Sequence, residues 1–250
     1  MNTNTPEGVE PIMFTAGGFL LHGWLHLPET DRAPFIVGSH GLLSSGDSPK
    51  QISLARACAG QGLAFFRFDH RGCGSSSGLF QSDTSLAARC ADLQSAVDLL
   101  LQRTDLSDSF GLFGSSFGGT VCLSAAGQAS ASVMVVNAAP VRSRTLSSTD
   151  VIAAGPSHID ASFFRENLQF DVSEGLSRLR SVLVFHGDED RVVPVENAHE
   201  IYETVGRPKK LTILEGGDHM MSRKSHQLLF VREAVKWFKM HLVPGEGMVA

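Results

Sequence analysis

The stretch that most constrains the fold is an apolar segment that turns abruptly into a helical pattern near the middle of the chain. Residues 109–114, Ser-Phe-Gly-Leu-Phe-Gly, are typical of a buried strand, and residues 121–126 are small or apolar with helical spacing. Between them lies Gly-Ser-Ser-Phe-Gly at 114–118, a Gly-x-Ser-x-Gly motif. A strand-to-helix turn this tight tolerates almost no side chain beside the serine and exposes its hydroxyl above the sheet edge. The context therefore predicts a nucleophile elbow centred on Ser116.

The motif alone is weak evidence, because a chain with 25 glycines offers chance matches. A second copy, Gly-Ser-Ser-Ser-Gly at 74–78, illustrates the point. It follows the turn-rich segment Asp-His-Arg-Gly-Cys at 69–73, and no strand-to-helix switch comes after it. We therefore predict that residues 74–78 form a loop and that Ser76 is not a nucleophile.

Size and composition fit one soluble α/β domain over residues 1–250, with 42% hydrophobic and 19% charged residues. The net charge of −5 and the lack of any Lys/Arg-rich run argue against nucleic acid or an anionic membrane as a partner. No apolar run reaches transmembrane length, and residues 1–7 lack the regions of a signal peptide. The four cysteines are scattered without C-x-x-C spacing, so we expect reduced thiols and a cytoplasmic location.

The rest of the chain alternates between strand-like and helix-like segments. The clearest helical pattern spans residues 83–103, with Asp83 or Thr84 as its expected cap. The alternation predicts an α/β fold with a mostly parallel, doubly wound sheet of about eight strands and right-handed crossovers. The predicted strands are Ile12–Thr15, Phe19–Leu27, Phe35–Ser39, Leu63–Phe68, 109–114, Val133–Asn137, Val182–Phe185 and Leu211–Leu214.

The alternation breaks between residues 139 and 180. This stretch is rich in Ser and Thr, contains prolines, and has short apolar clusters at Phe163, Phe164 and Phe170. It is too long for a simple crossover and too apolar for a disordered linker. We therefore expect a small cap inserted over the site, with Phe163 and Phe164 as substrate contacts. An elaborated loop and crossover helix without a role in substrate choice is the alternative.

Three predicted strand ends supply a serine, a carboxylate and a histidine. A serine hydroxyl is a poor nucleophile until a base takes its proton, and an acceptor must orient that base. Ser116, Asp190 and His219 follow different strands, and the carboxyl ends of parallel strands share one edge of the sheet. Asp188 and Asp218 are rival carboxylates, but both suit loop capping, Asp188 on the N–H groups of its own loop. The order Ser, Asp, His is the one expected for an α/β-hydrolase.

Five motifs together resemble those of the α/β-hydrolase superfamily. They are His-Gly at 40–41, Asp-His-Arg-Gly-x-Gly at 69–74, Gly-x-Ser-x-Gly at 114–118, Gly-x-x-Asp-x-x-Val-Pro at 187–194 and Gly-Asp-His at 217–219. Their order and spacing are the usual ones over about residues 19–240. Within the superfamily the chain looks most like small intracellular serine esterases with a compact cap, such as cinnamoyl or feruloyl esterases and monoacylglycerol-lipase-like hydrolases.

The resemblance implies a role for each site residue. Ser116 would be the nucleophile, His219 the general base and Asp190 the carboxylate that orients it. The backbone N–H groups of Leu42 and Phe117 would form the oxyanion hole. The implied enzyme is a serine hydrolase, a carboxylesterase, that cleaves short-chain or aryl esters through an acyl-enzyme intermediate. Its partner would be a small-molecule ester, and it would need no cofactor.

Other interpretations are left open by the sequence. A thioesterase, an acyltransferase or a peptidase would use the same triad, and a non-catalytic ligand-binding protein on a hydrolase scaffold is a different class. His40 and His186 are expected to be structural hydrogen-bonders. A metal site of His186, Asp188 and Asp190 is conceivable, but three ligands in one short loop are not a known spacing, so no metal is expected. No GxGxxG or P-loop follows a strand, so no nucleotide cofactor is implied, and a homodimer remains possible.

Overall fold

The computed structural model describes residues 8–143 and 161–243. Within these ranges the centre is an eight-stranded sheet of order β1-β2-β4-β3-β5-β6-β7-β8. The first two pairs, β1 with β2 and β2 with β4, are antiparallel, and the other five are parallel. The predicted mostly parallel sheet is confirmed. The strands are β1 (Val9–Ala16), β2 (Phe19–His26), β3 (Ala33–Ser39), β4 (Ala64–Phe68), β5 (Leu106–Ser115), β6 (Val133–Asn137), β7 (Val182–Gly187) and β8 (Lys209–Leu214).

Helices connect the strands on both faces of the sheet. They are α1 (Pro49–Ala59), α2 (Phe80–Asp83), α3 (Leu86–Leu101), α4 (Phe117–Ala129), α5 (Ala161–Glu166), a 3₁₀ helix (Ser173–Arg178), α6 (Glu196–Thr204) and α7 (Lys224–Leu242). Among the helices of the described ranges, none has the length and apolar character needed to span a bilayer.

The predicted cap of the long helix before β5 was wrong. The cap of α3 is Ser85, whose hydroxyl accepts a hydrogen bond from the N–H of Ala88 at 3.1 Å. Residues 80–83 instead form the separate short helix α2, in which the Asp83 carboxylate accepts from the N–H of Leu79 at 2.7 Å. The Asp83 carboxylate is therefore bound to the N–H of the residue that precedes α2 and does not cap α3.

Neighbouring residues of the central strands point to opposite faces and build two cores. Phe35 and Val37 of β3 are fully buried in the core that contains side chains of α3 and α4. Ile36 and Phe65 are fully buried in the second core, against α1 and α7. A parallel sheet that is covered on both faces needs strands that are apolar at every position. This requirement explains the continuous apolar runs from which the strands were predicted.

The turn between β5 and α4 is held by close backbone contacts. Ser116 adopts φ 54° and ψ −126°, a backbone conformation that is costly for a residue with a side chain. A Cβ at Gly118 would lie 2.1 Å from the carbonyl oxygen of Ser39, and one at Gly114 would lie 2.3 Å from that of Gly118. The N–H of Ser116 donates to the carbonyl of Asn137 at 2.7 Å. The ends of β3 and β6 thus hold the strained turn in place.

The second Gly-x-Ser-x-Gly segment is a loop, as predicted, and it lies along β2. The N–H of His22 donates to the Ser76 hydroxyl at 3.0 Å, and the N–H of Leu20 donates to the Ser77 hydroxyl at 2.8 Å. The Ser76 hydroxyl itself donates to the carbonyl of Asp69 at 2.6 Å. These bonds give Ser76 a structural role that ties the loop to the strand.

The expected cap at 139–180 is described only at its two ends, because residues 144–160 lie outside the described residues. The two ends meet: the N–H of Ser143 donates to Phe170 and the N–H of Val172 donates to Val141, both at 3.0 Å. The cap and the single-domain assignment stay predictions.

Two glycines of α4 provide a matched test of the elbow. We expect Gly118→Ala to lower the free energy of unfolding by about 3 kcal/mol or more, because overpacking alone costs about 1–3 kcal/mol and here the neighbour is rigid backbone. Gly127→Ala is the control, since a Cβ there meets nothing within 4 Å. It should raise stability by about 0.5–1 kcal/mol, the usual gain in a helix. Urea midpoints measure both, and equal midpoints would contradict the proposed constraint.

Candidate active site

The structure brings Ser116, His219 and Asp190 together at the carboxyl edge of the sheet. Ser116 lies at the end of β5, and Asp190 and His219 lie in the loops that follow β7 and β8. The Ser116 Oγ is 3.0 Å from His219 Nε2, and His219 Nδ1 is 2.7 Å from Asp190 Oδ2. The three side chains are therefore hydrogen-bonded in series, in the order required of a nucleophile, a base and an orienting acceptor.

The Asp190 carboxylate is fixed on both of its oxygens. Its Oδ1 accepts from the N–H groups of Val192 and Val193, both at 2.9 Å, while Oδ2 faces His219. The side chain is fully buried. Burial by itself would raise the pKa of this carboxyl, but the hydrogen bonds from His186, His219 and the backbone outweigh it and hold the pKa well below its usual range. Asp190 is therefore an ionised acceptor that cannot rotate away from the imidazole.

The two rival carboxylates cap loops. Asp218 accepts from the N–H of Ser222 at 2.8 Å and from its hydroxyl at 2.5 Å. Asp188 also binds backbone, but the expectation that it would cap its own loop was wrong. Its Oδ1 accepts from the N–H of Gly216, in the loop after β8, at 2.6 Å. Asp190 caps the loop after β7 instead, and Asp188 joins that loop to its neighbour.

His40 and His186 are structural hydrogen-bonders, as predicted. His186 is fully buried and its Nε2 lies 2.8 Å from the carbonyl of Val193. His40 Nδ1 donates to the carbonyl of Gly41 at 2.8 Å, and its Nε2 accepts from the N–H of His70 at 3.1 Å. Burial, reinforced by the Arg89 cation, lowers the pKa of His40 well below its usual value. One ring nitrogen of His40 donates and the other accepts, so the imidazole must be neutral.

Leu42 and Phe117 both line the cavity beside Ser116. Phe117 is the first residue of α4, so its N–H has no acceptor within the helix. The segment of Leu42 lies against the serine, since a Cβ at Gly41 would be 3.5 Å from the Cβ of Ser116. No hydrogen bond among the described residues uses either N–H. Both N–H groups are therefore unused within the part of the chain that the structure describes.

A buried arginine that the sequence analysis did not single out holds the Leu42 segment. Arg89 of α3 is fully buried, and its Nη1 donates to the carbonyls of His40 at 3.3 Å and Gly41 at 3.2 Å. Its Nη2 donates to the carbonyl of Leu42 at 2.9 Å. The guanidinium also lies 5.3 Å from the ring centroid of Phe117. One cation thus contacts both segments that carry the two free N–H groups.

Arg89 and Lys50 were not predicted as site residues, although each has an indirect signal in the sequence. Arg89 lies three residues after Leu86 and four before Leu93, so it is a cation within the apolar stripe of its helix. Lys50 lies in the first turn of α1, where the helix dipole disfavours a positive charge. Its Nζ donates to the Ser115 hydroxyl at 3.2 Å. Neither signal by itself indicates which partner the cation binds.

A cavity of about 420 Å³ adjoins Ser116 and His219. Its wall is mainly apolar, and Lys50 is the only Lys or Arg side chain among its described lining residues, which include no Asp or Glu. The apolar lining residues are Leu42, Leu43, Pro49, Phe117, Pro140, Leu168, Val192, Met220, Phe230 and Val231. The cavity therefore suits a small, largely apolar molecule.

Phe163 and Phe164, the expected substrate contacts, are not among the lining residues. Phe163 is 4% exposed, and its ring packs 5.1 Å from that of Phe80 and 5.6 Å from that of Phe164. Leu168 lines the cavity in their place. The aromatic pair contributes to the core, and periodicity could not distinguish that role because the helix α5 is short.

The described ranges hold neither a cluster of metal ligands nor a disulfide bond. No group of three or more His, Cys, Asp or Glu side chains there is arranged to hold a metal ion. All four cysteines are free thiols, and burial raises the pKa of the Cys122 thiol far above its ordinary value.

The sheet order, the strained serine turn and the neighbouring histidine define an α/β-hydrolase. The family model described as "Serine aminopeptidase, S33" matches residues 31–159, more than half of the chain, and the chain belongs to that family. A curated relative, the uncharacterized protein YfhR of Escherichia coli O157:H7, is 28% identical over 223 residues, covering 86% of this chain and 75% of YfhR.

Solved structures share the fold. The esterase Est1E of Butyrivibrio proteoclasticus, bound to ferulic acid, superposes with a TM-score of 0.77 at 20% identity, covering 93% of this chain and 99% of Est1E. The α/β-hydrolase GrgF of Penicillium sp. sh18 gives a TM-score of 0.80 at 18% identity, covering 94% and 99% of the two chains. Identities this low establish the fold alone.

We expect Arg89→Met to lower the free energy of unfolding by about 3 kcal/mol or more. The change leaves the carbonyls of His40 and Leu42 without their donor, while that of Gly41 keeps the His40 imidazole, and each buried, unsatisfied polar group costs about 1–3 kcal/mol. Arg56→Met, at an exposed position of α1, is the control and should change stability by about 0.5 kcal/mol at most. Urea unfolding measures both variants. A loss below about 1 kcal/mol for Arg89→Met would show that the carbonyls of His40 and Leu42 do not depend on the guanidinium.

Proposed function

We propose that the chain is a serine hydrolase that cleaves carboxylic esters through an acyl-enzyme intermediate. The observation that carries this proposal is the hydrogen-bonded series Ser116, His219 and Asp190 beside a cavity with two free backbone N–H groups. Each component alone has structural uses. Their convergence at one point supports nucleophilic catalysis, because it supplies a nucleophile, a base and an oxyanion site together.

In the first step the Ser116 Oγ attacks the ester carbonyl carbon, and His219 Nε2 takes the hydroxyl proton. The imidazolium that forms is stabilised by the ionised Asp190, which stays deprotonated throughout. The negative charge that develops on the carbonyl oxygen is bound by the N–H groups of Leu42 and Phe117. Collapse of the tetrahedral intermediate expels the alcohol, which leaves with the proton from His219.

In the second step water replaces the alcohol. His219 Nε2 removes a proton from the water as its oxygen attacks the acyl carbon. The new tetrahedral intermediate expels Ser116 Oγ, which regains its proton from the imidazolium. The products are the free carboxylic acid and the original enzyme, so no cofactor takes part.

Arg89 acts in this scheme as a positioning residue for the oxyanion site. Donors that already point at the developing charge avoid reorganisation during the reaction, and removing one of them typically costs about 10²–10³-fold in kcat. The Leu42 N–H belongs to a short loop segment, which has no ladder of backbone hydrogen bonds to orient it. The guanidinium supplies that support through the three carbonyls of residues 40–42.

The family description includes aminopeptidases, which makes amide hydrolysis the second candidate. An aminopeptidase must bind the positively charged amino terminus of its substrate, for which a carboxylate is the natural partner. The described lining of the cavity contains no carboxylate and does contain Lys50, which would repel an ammonium group. These charges favour an ester over a substrate with a free amino terminus. A thioesterase or acyltransferase would share the first step and differ in the leaving group or in the acceptor.

The first test concerns the nucleophile. We expect a fluorophosphonate probe to label the wild-type protein covalently and Ser116→Ala to abolish both labelling and turnover of p-nitrophenyl butyrate. Alanine should be tolerated, since the position only needs a small side chain. Covalent labelling also separates an active serine hydrolase from a non-catalytic ligand-binding protein, which would not react.

Ser76→Ala is the matched control, because it removes a serine from the same motif in a different context. It should keep labelling and turnover, and lose about 1 kcal/mol of stability as its two hydrogen bonds are removed. Labelling that persists in Ser116→Ala, or disappears in Ser76→Ala, would refute the assignment.

The second test concerns substrate size. A cavity of about 420 Å³ is at the small end of ligand sites, which span roughly 300–1,000 Å³. Est1E, which shares the fold, binds ferulic acid, an aryl acid. We expect kcat/KM to be highest for short-chain or aryl p-nitrophenyl esters and to decline for longer chains. Faster turnover of emulsified long-chain triglyceride than of the short esters would contradict this substrate class.

A further inference from the structure

Lys50 lines the cavity, and its ammonium group contacts the residue that precedes Ser116. Its Nζ donates to the hydroxyl of Ser115, the residue before Ser116, at 3.2 Å. The side chain is only partly exposed and lines the same cavity as Ser116 and His219. Lys50 is therefore part of the wall that a molecule in the cavity would face.

Lys50 has no carboxylate partner among the described residues. No ion pair within the part of the chain that the structure describes involves its Nζ. The nearest acidic groups that act on it through space are Asp190 and Asp218, which bind His219 and Ser222. Burial lowers the pKa of Lys50 to about 8, against the opposing effect of these two carboxylates. The group is thus predominantly charged at neutral pH, with donors that the Ser115 hydroxyl does not use.

The amino end of α1 adds to the positive potential around Lys50. Ser48, the cap of α1, and Pro49, its first residue, line the cavity next to Lys50. The first turn of α1 contains no acidic residue. The amino end of a helix favours a negative charge, so the helix and the lysine act in the same direction.

A purely structural role does not account for this cation. Ser115 already has a second donor, because Asn137 Nδ2 lies 3.4 Å from its hydroxyl oxygen. A neutral donor would be enough to bind the Ser115 hydroxyl. A partly buried ammonium without a counter-ion costs free energy of folding. The cost is offset when an anion binds beside it.

We propose that Lys50 binds an anionic group of the substrate, so that the preferred substrate is an ester that also carries a carboxylate. This inference rests on the proposed function, because it assigns a substrate class to the same site. An ammonium and a carboxylate form a charge-assisted hydrogen bond, which is stronger than one between neutral groups. The mainly apolar wall would hold the hydrocarbon part between the ester and the carboxylate.

The test compares two esters with the same six-carbon acyl chain, mono-p-nitrophenyl adipate and p-nitrophenyl hexanoate. The readout is the ratio of their kcat/KM values. We expect Lys50→Met to lower this ratio about 10- to 100-fold, mainly through KM for the adipate, since it removes the charge-assisted bond. Lys50→Arg keeps the charge and should retain most of the ratio. Lys236→Met, at an exposed position of α7, should leave the ratio unchanged.

A structural role gives a different result, because a distorted serine turn would slow both esters by the same factor. An unchanged ratio in Lys50→Met therefore overturns the inference, whether the two rates fall together or stay as they are. A wild-type enzyme that favours hexanoate, with the same ratio in the variant, overturns it as well.

A binding measurement separates this inference from the proposed function. In the Ser116→Ala background, calorimetry compares monomethyl adipate, an anion, with neutral dimethyl adipate. We expect tighter binding of the anion, and loss of that preference when Lys50→Met is added. Equal affinities would refute the role of Lys50 and leave the proposed catalysis intact. Persistent turnover by Ser116→Ala would refute the proposed catalysis, while the binding preference would still report on Lys50.

Discussion

The candidate site depends on one close backbone contact, where the start of α4 meets the end of β3. Gly118 approaches the carbonyl of Ser39 so closely that no Cβ fits between them. This contact sets Ser116 at the mouth of the cavity in a strained conformation and brings Gly41 against it. Because Ser116 and the Leu42 segment share this contact, they are positioned as one unit. The strain is tolerated since β5, which leads into the turn, is paired with β3 on one side and with β6 on the other.

Three charged side chains lie around the site, and each has a different set of hydrogen-bond partners. Asp190 is buried and ionised because both of its oxygens accept hydrogen bonds. Arg89 is buried without a hydrogen-bonded carboxylate among the described residues, and its two terminal nitrogens donate to backbone carbonyls instead. Within the described residues, the Lys50 ammonium donates to the Ser115 hydroxyl and forms no ion pair. Lys50 is the cation that lines the described part of the cavity, whereas Arg89 binds the backbone of residues 40–42.

Local sequence was sufficient wherever the signal is backbone geometry or strand burial. The sheet strands, the serine turn and the loop character of residues 74–78 were all predicted from adjacent residues. Asp190 and His219 could be selected as partners of Ser116 because parallel strands end at one edge. The predicted cap of α3 failed locally, because Asp83 binds Leu79, and two other predictions failed because the partner is distant in sequence. Asp188 binds the loop after β8 instead of its own, and Phe163 packs against Phe80 instead of lining the cavity.

The sequence by itself therefore determined the class of fold and the three residues that meet at its edge, because strand periodicity, glycine spacing and chain order are local properties. Only the tertiary structure decided which groups surround them. Arg89 reaches residues 40–42 across a gap of nearly fifty positions, and Lys50 reaches Ser115 across 65. A charged side chain selects its partner by three-dimensional proximity and by the loss of competing water, and neither is encoded in the residues next to it.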